Sequence, residues 1–250
     1  MADILSCTNG LETVKAGDNT AAPKADEVHL WIIDCDRPHE IECARKLLDE
    51  QERGKADRFI NERDSWRYIA AHAALRSILA GYIGTKAETI RFRYGPHGKP
   101  ELDAEYPDYI SFNMSHSERL VLVAIAAGRP VGVDVERVSF DFPCIEIARS
   151  HFSREESSEL ESLSQDRQAL AFYRAWTHKE AFLKALGAGL SISPKDVALP
   201  FVETPGQANI VAMNGTLWSF VDVVPARGYI GAIAVKGEIQ RIIKLEYQLL

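Results

Sequence analysis

Gly132-Val133-Asp134-Val135-Glu136 and, later in the chain, Trp176-Thr177-His178-Lys179-Glu180-Ala181-Phe182-Leu183-Lys184 carry the most chemistry per residue. In the first stretch two carboxylates alternate with two valines, the pattern of a strand with one apolar and one polar face. In the second, Glu180 and Lys184 are four apart, so a helix puts both on one side. On a strand rising ~3.3 Å per residue, the Cα atoms of Asp134 and Glu136 stand roughly 6–7 Å apart. Carboxylates that close repel, and burial raises their pKa unless a cation lies between them. A hard ion such as Mg²⁺ accepts a few carboxylate oxygens and keeps its other positions for water and phosphate. Taken alone, the Asp-x-Glu pair is so common that it reads first as a solvated strand edge. Likewise Glu180 and Lys184 read as a surface ion pair worth about 0.3–0.5 kcal/mol. The apolar run before Asp134, and Trp176, Ala181 and Phe182 around Glu180, point instead to packed elements, where unpaired charge is costly. Lys179 points roughly 100° further round the helix, toward a phosphate or simply toward solvent.

The remaining composition is that of an ordinary globular chain. Its 250 residues suffice for one large domain or two small ones, with 46% hydrophobic and 26% charged content. A net charge of −7 argues against non-specific nucleic-acid binding. Cys7, Cys35, Cys43 and Cys144 make no CxxC pair and no zinc spacing, and are expected as free thiols in a reducing cytoplasm. The longest apolar run, 120–127, is far shorter than the roughly 20 residues of a membrane span. The opening Met-Ala-Asp-Ile-Leu-Ser-Cys lacks a secretory pattern, so a cytoplasmic protein without membrane contact is expected.

Residues 1–26, rich in Ala, Gly, Thr, Asn, Asp and Lys, read as a disordered or loosely attached tail. Structure is expected from a strand at 28–33. A helical stretch over 41–82 follows, broken near 61–65, with the second helix stopped by Gly81 and Gly84. Strands are predicted at 90–94, 109–113, 120–126 and 131–135, with a turn at 95–100. Beyond them come a short helix at 145–150, a capping box at Ser153–Glu156 and a long helix over 166–186 ended by Gly187 and Gly189. β-rich segments are predicted at 196–199, 217–223, 229–235 and 242–247. Two halves of similar helix-plus-sheet content, 27–125 and 126–250, suggest a pseudo-duplicated α+β fold.

Two further groups bear on function. Phe112-Asn113-Met114-Ser115-His116-Ser117 ends an apolar strand with a hydroxyl and an imidazole. Adjacent residues rarely face each other as a catalytic triad requires, so the segment reads either as phosphate donors or as a polar loop cap. Arg53, Lys55, Arg58, Arg63, Arg67 and Arg76 are interleaved with acids, as on a solvated amphipathic face, although one or two could hold a terminal phosphate. His178 is expected at the surface. The chain contains neither G-x-x-x-x-G-K-[ST] nor G-x-G-x-x-G, which disfavours ATP hydrolysis and nicotinamide binding.

In order and spacing, Gly98-Lys99-Pro100, the 112–117 segment, 132–136, Phe152-Ser153-Arg154-Glu155-Glu156, 176–184 and Gly187-Ala188-Gly189-Leu190 resemble the 4′-phosphopantetheinyl transferases, specifically the larger pseudodimeric type that activates peptide and polyketide synthetases. The resemblance spans about residues 28–235. It implies an α+β fold of two pseudo-duplicated subdomains, each a small antiparallel sheet packed with helices. The implied reaction moves 4′-phosphopantetheine from coenzyme A to a serine of an acyl, peptidyl or aryl carrier protein domain, releasing 3′,5′-ADP. It also implies Mg²⁺, with Mn²⁺ as an alternative, held by Asp134, Glu136 and Glu180. Glu180 matches the general base and Lys184 the lysine at the pyrophosphate. Lys99, Ser115 and His116 match coenzyme A phosphate contacts. Arg58, and more strongly Arg67 and Arg76, fall where adenine and 3′-phosphate contacts are expected. A monomer is implied, because two halves of one chain form the site that half-size relatives build between subunits. Carrier contacts are expected around 144–152. The competing readings are a metal-dependent phosphodiesterase or pyrophosphatase acting on nucleotides, and a non-catalytic coenzyme A or carrier-binding module.

Overall fold

Strands that are apolar on both faces must be covered on both, and here two such sheets cover each other. The computed structural model describes residues 12–15, 21–36, 41–199 and 208–248. Among the described residues the first elements are β1 (Glu12–Lys15) and β2 (Glu27–Asp34), followed by α1 (Ile41–Leu47), α2 (Glu50–Ala56) and α3 (Glu62–Ile83). The hairpin β3 (Phe92–Tyr94) and β4 (Pro100–Leu102) leads to β5 (Ile110–Ser117), β6 (Leu120–Ala127) and β7 (Val131–Arg137). Helices α4 (Cys144–His151), α5 (Arg154–Ser162) and α6 (Gln165–Leu186) follow, then β8 (Ala208–Met213), β9 (Thr216–Val223), β10 (Tyr229–Lys236) and β11 (Arg241–Gln248).

Among the described residues the larger sheet runs β1-β11-β2-β6-β5 and the second β7-β10-β9-β8. Alternation at period two sorts their side chains into layers. On β2 and β6, Trp31, Ile33, Val121, Val123 and Ile125 face α3, packing on Ala74, Leu75 and Ile78. Their neighbours Val28, Leu30, Leu122 and Ala124 face the other way, onto Val131, Val133, Val135 and Ile233 of the second sheet. The outer face of that sheet, with Ala232, Ala234 and Phe220, is covered by Ala181, Phe182 and Ala185 of α6. The order of layers is therefore helix, sheet, sheet, helix. With valines 131, 133 and 135 turned inward, Gly132, Asp134 and Glu136 are left on the face that meets α6.

The second sheet is antiparallel throughout. The first is antiparallel through β2, β6 and β5. Strand β11 then pairs parallel with β2 and with β1. The last strand of the chain thus crosses into the sheet of the first half, where it covers the edge of β2. The stretch read as a tail over 1–26 includes β1, paired with β11 from Glu12 to Lys15; residues 1–11 and 16–20 lie outside the described residues.

Local signals set the element ends. Asn61 caps α3 by accepting from Arg63 N, and Gly84, at φ 68°, closes it in the left-handed region. Gly81 does not stop the helix, because it lies inside α3 and adopts ordinary helical geometry. The capping box forms as expected: Glu156 N donates to Ser153 Oγ at 3.2 Å and Ser153 N to Glu156 Oε2 at 2.8 Å. Gly187, at φ 66°, ends α6. The strand expected at 196–199 is instead a 3₁₀ turn over Pro194–Asp196, opened by Ser193 and by proline at the first helical position. The carbonyls of Pro194 and Val197 that a neighbouring strand would need are taken by Lys179 Nζ. Strand β8 was not anticipated, although its side chains alternate in exposure.

Candidate active site

Strand β5 supplies one wall of the site. Its even-numbered residues Ile110, Phe112 and Met114 pack toward α3, so Asn113, Ser115 and Ser117 point at β7. They form a side-chain ladder between the two halves of the chain. Val133 N donates to Asn113 Oδ1 at 2.9 Å, Ser115 Oγ to Asp134 Oδ1 at 2.8 Å, and Ser117 Oγ to Glu136 Oε2 at 3.0 Å. Arg137 N in turn donates to Ser117 Oγ at 3.0 Å.

Helix α6 supplies the opposing wall, and one glycine sets how close it comes. A Cβ on Gly132 would lie 1.9 Å from the Ala181 carbonyl oxygen and 2.5 Å from Ala185 N. That close approach brings Lys184 onto the strand: its Nζ lies 2.6 Å from Asp134 Oδ1 and donates to Ser115 Oγ at 2.8 Å. Asp134 is buried, and among the described residues its Oδ2 has no hydrogen-bond partner. Burial, and then the charge of Asp134, push the carboxyls of both Glu136 and Glu180 above the usual range. The Ser117 hydroxyl partly opposes this at Glu136.

Glu180 and Lys184 line a cleft of about 330 Å³ together with Lys99, His97, Met114, Leu183 and Ile192. Lys99 Nζ spans the junction, donating to the Val131 carbonyl at 3.3 Å and to that of Ala185 at 3.1 Å. An ammonium has three N–H donors, so one is left for a ligand. Burial holds Lys99 below the usual lysine range. His116 keeps an exposed edge at the end of β5. The packing around its ring, then Lys184, His72 and Lys55, hold it below the usual imidazole range. Two ammonium groups, Lys99 and Lys184, therefore border the cleft beside Glu180, which suits a phosphate chain bridged to a cation.

The carboxylates fit a hard divalent ion in chemistry: all donors are oxygens, Asp134 Oδ2 is buried and unpaired, and Glu136 and Glu180 each feel the charge of Asp134. Among the described residues, no three His, Cys, Asp or Glu side chains are drawn into a ready-made metal cage. Lys184 is the cation that neutralises Asp134 here.

Several sequence expectations are corrected by position. Arg76 is completely buried and its donors are all engaged: Nε to Glu52 at 2.6 Å, Nη2 to Asp49 at 2.6 Å, and Nη1 to the Ile90 carbonyl at 2.8 Å. It has no exposed face for a phosphate and ties α2, α3 and the 87–90 turn together. Arg67, partly exposed, directs Nε and Nη2 to Asp36 Oδ1 at 3.1 and 2.9 Å, and Arg58 is an exposed side chain after α2; neither position contradicts a phosphate contact. Ser115 is buried and spends its hydroxyl on Asp134 and Lys184, a strut rather than an open phosphate donor. Lys179, at 1% exposure, meets neither phosphate nor solvent. It pairs with Glu156 Oε1 at 2.9 Å and bonds the Pro194 and Val197 carbonyls. His178 is buried too, its Nε2 2.7 Å from Asp222 Oδ1. Asn113, Ser117 and Gly132 are site residues that the sequence pattern alone does not single out. Their signal was parity: all three share a strand face with an assigned residue.

Comparison with known proteins gives concordant matches to the two halves. A family described as "4'-phosphopantetheinyl transferase, N-terminal" matches residues 36–128, and the "4'-phosphopantetheinyl transferase superfamily" matches 130–234. The chain is 33% identical over 216 residues to 4'-phosphopantetheinyl transferase HetI of Nostoc, covering 85% of this chain and 89% of that protein. It is 34% identical over 185 residues to 4'-phosphopantetheinyl transferase Sfp of Bacillus subtilis, covering 72% and 80%. A more distant relative is the rat L-aminoadipate-semialdehyde dehydrogenase-phosphopantetheinyl transferase, 28% identical over 174 residues and covering 64% of this chain and 56% of that protein.

Proposed function

The chain belongs to the 4′-phosphopantetheinyl transferase superfamily, and on that premise we propose how its own residues carry the transfer of 4′-phosphopantetheine from coenzyme A to a carrier-protein serine, with 3′,5′-ADP leaving. The observation that supports this assignment best is that Lys184, which lines one cleft with Glu180, reaches the buried Asp134 from a helix that Gly132 allows into backbone contact with the strand.

In this reading Asp134, Glu136 and Glu180 hold Mg²⁺ or Mn²⁺, which when bound offsets pyrophosphate charge as a Lewis acid. Glu180, partly exposed on the cleft wall, is placed to take the proton from the incoming serine hydroxyl. Lys184 sits on a flexible stem at the cleft wall, able to donate to phosphate oxygens as charge develops there. The remaining N–H of Lys99 and the exposed edge of His116 face the same ligand. Among the basic residues read from sequence, Lys55 stands nearest this role: it lies over the Tyr68 ring at 5.1 Å and acts electrostatically on His116.

The partner is a carrier domain, docking on the apolar surface that opens at Phe140, 68% exposed, and continues into α4. One chain supplies both walls of the site, so a monomer suffices. The unpaired thiols of Cys35, Cys43 and Cys144 fit the reducing cytoplasm. Among the described residues no helix is long and apolar enough to cross a membrane.

The test is to incubate the protein with coenzyme A, Mg²⁺ and apo-carrier domains and weigh the carriers intact. A gain of one phosphopantetheine, lost in Asp134→Ala and Glu180→Ala, supports the assignment. Coenzyme A that binds without any carrier gaining mass would overturn it.

A further inference from the structure

Asp134 is an unevenly used carboxylate. Oδ1 accepts two donors, Ser115 Oγ at 2.8 Å and Lys184 Nζ at 2.6 Å, while buried Oδ2 accepts none among the described residues. The Ser115 hydroxyl also accepts from Lys184 at 2.8 Å, so the three groups close a triangle. Such charge-assisted contacts are short and about twice as strong as neutral ones. The carboxylate side chain is 5% exposed, whereas that of Lys184 is 31% exposed and borders the cleft. Asp134 is fixed to β7 and buried beneath α6; Lys184 is the mobile partner.

We propose that Lys184 is a resident counter-ion that competes with the divalent cation for Asp134, so that coenzyme A and the metal load cooperatively through this one lysine. A divalent ion arriving at Oδ2 meets a full positive charge already seated on Oδ1 of the same carboxylate. Like charges that close oppose each other strongly in a half-buried site. Lys184 must therefore leave Asp134, and its flexible stem can turn only toward the cleft, where an anionic ligand gives it a new partner. The phosphates of coenzyme A draw it off and open Asp134; by linkage, a cation on Asp134 releases the lysine for the phosphates. Ser115 accepts a bond from the lysine in the closed state and remains on Asp134 after it has gone. This rests on the metal-binding reading given above.

The test measures Mn²⁺ binding without coenzyme A, at pH 8, by electron paramagnetic resonance, on wild type, Lys184→Met, Lys184→Gln and Asp134→Ala, with thermal unfolding as the folding control. Methionine keeps the apolar stem, and glutamine keeps a donor for Ser115 without the charge. Both Lys184 variants are expected to bind Mn²⁺ about tenfold tighter than wild type, equivalent to about 1.4 kcal/mol. Affinity that is unchanged, weaker or undetectable in both overturns the competition. Separately, Asp134→Ala binding Mn²⁺ as well as wild type would remove the metal reading itself.

Discussion

Gly132 and Ala181 are in backbone contact: a methyl group on the glycine would stand 1.9 Å from the Ala181 carbonyl oxygen, closer than any Cβ can approach. Neither partner is a flexible side chain, so the only relief is for α6 to move away from β7. Gly132→Ala is expected to destabilise by about 1–3 kcal/mol, as overpacking does. Transfer should fall further than stability predicts, because Glu180 and Lys184 retreat with the helix. Denaturant melts and transfer rates on the same preparation check this. Gly54→Ala is the control: it lies in helix α2 with nothing near its Cβ position and should stabilise by about 0.5–1 kcal/mol.

Glu136 and Glu180 are carboxyls raised above the ordinary value by burial and by Asp134. A raised folded-state pKa means that the folded chain binds these protons more tightly than the unfolded chain. The stability from each is fully present below the ordinary glutamate pKa and is lost as pH rises through the raised value. Glu136→Gln and Glu180→Gln should therefore melt above wild type at neutral pH without metal. The gain should shrink as the pH is lowered toward the ordinary glutamate range. Melting curves from pH 4 to 8 test it; a gain that grows toward acid would contradict the electrostatic origin.

Lys179 and Lys184 share one helix but not one role. Lys179→Met strands the buried Glu156 charge and the Pro194 and Val197 carbonyls, and is expected to destabilise by about 3–5 kcal/mol. Lys184→Met also strands a buried carboxylate, Asp134, but one that keeps the Ser115 hydroxyl as donor, so the loss should be smaller, about 1–3 kcal/mol, while most transfer is abolished. Chemical denaturation of the two variants separates a structural lysine from a functional one. Equal destabilisation would undo the distinction.

Arg76→Met removes the guanidinium that joins Glu52, Asp49 and the Ile90 carbonyl. A loss of about 3–5 kcal/mol is expected, since Glu52 stays buried with only His72 and the Asp49 N–H beside it. The KM for coenzyme A of the folded fraction should hold at its wild-type value. A raised KM with unchanged stability would restore Arg76 as a ligand contact.

What the sequence determined by itself was everything encoded at short range. Period-two valines fixed which face of β7 carries Asp134 and Glu136; Asn61, Ser153, Gly84 and Gly187 marked helix ends; and the spacing of Glu180 and Lys184 put them on one side of α6. These are interactions between residues a few positions apart, so the local pattern contains them. The tertiary structure decided which charged side chains became struts and which faced a ligand. Arg76, Lys179, His178 and Ser115 look no different in sequence from Lys99, Lys184 and His116. Their roles follow from partners far along the chain: Lys184 meets Ser115 across 69 positions and Asp134 across 50. The placement of β11 beside β2 is likewise long-range, since hydrogen-bond pairing between strands carries no signature in either strand alone. A guanidinium or ammonium takes whatever carboxylate the packed layers bring to it, and only the folded chain specifies which one that is.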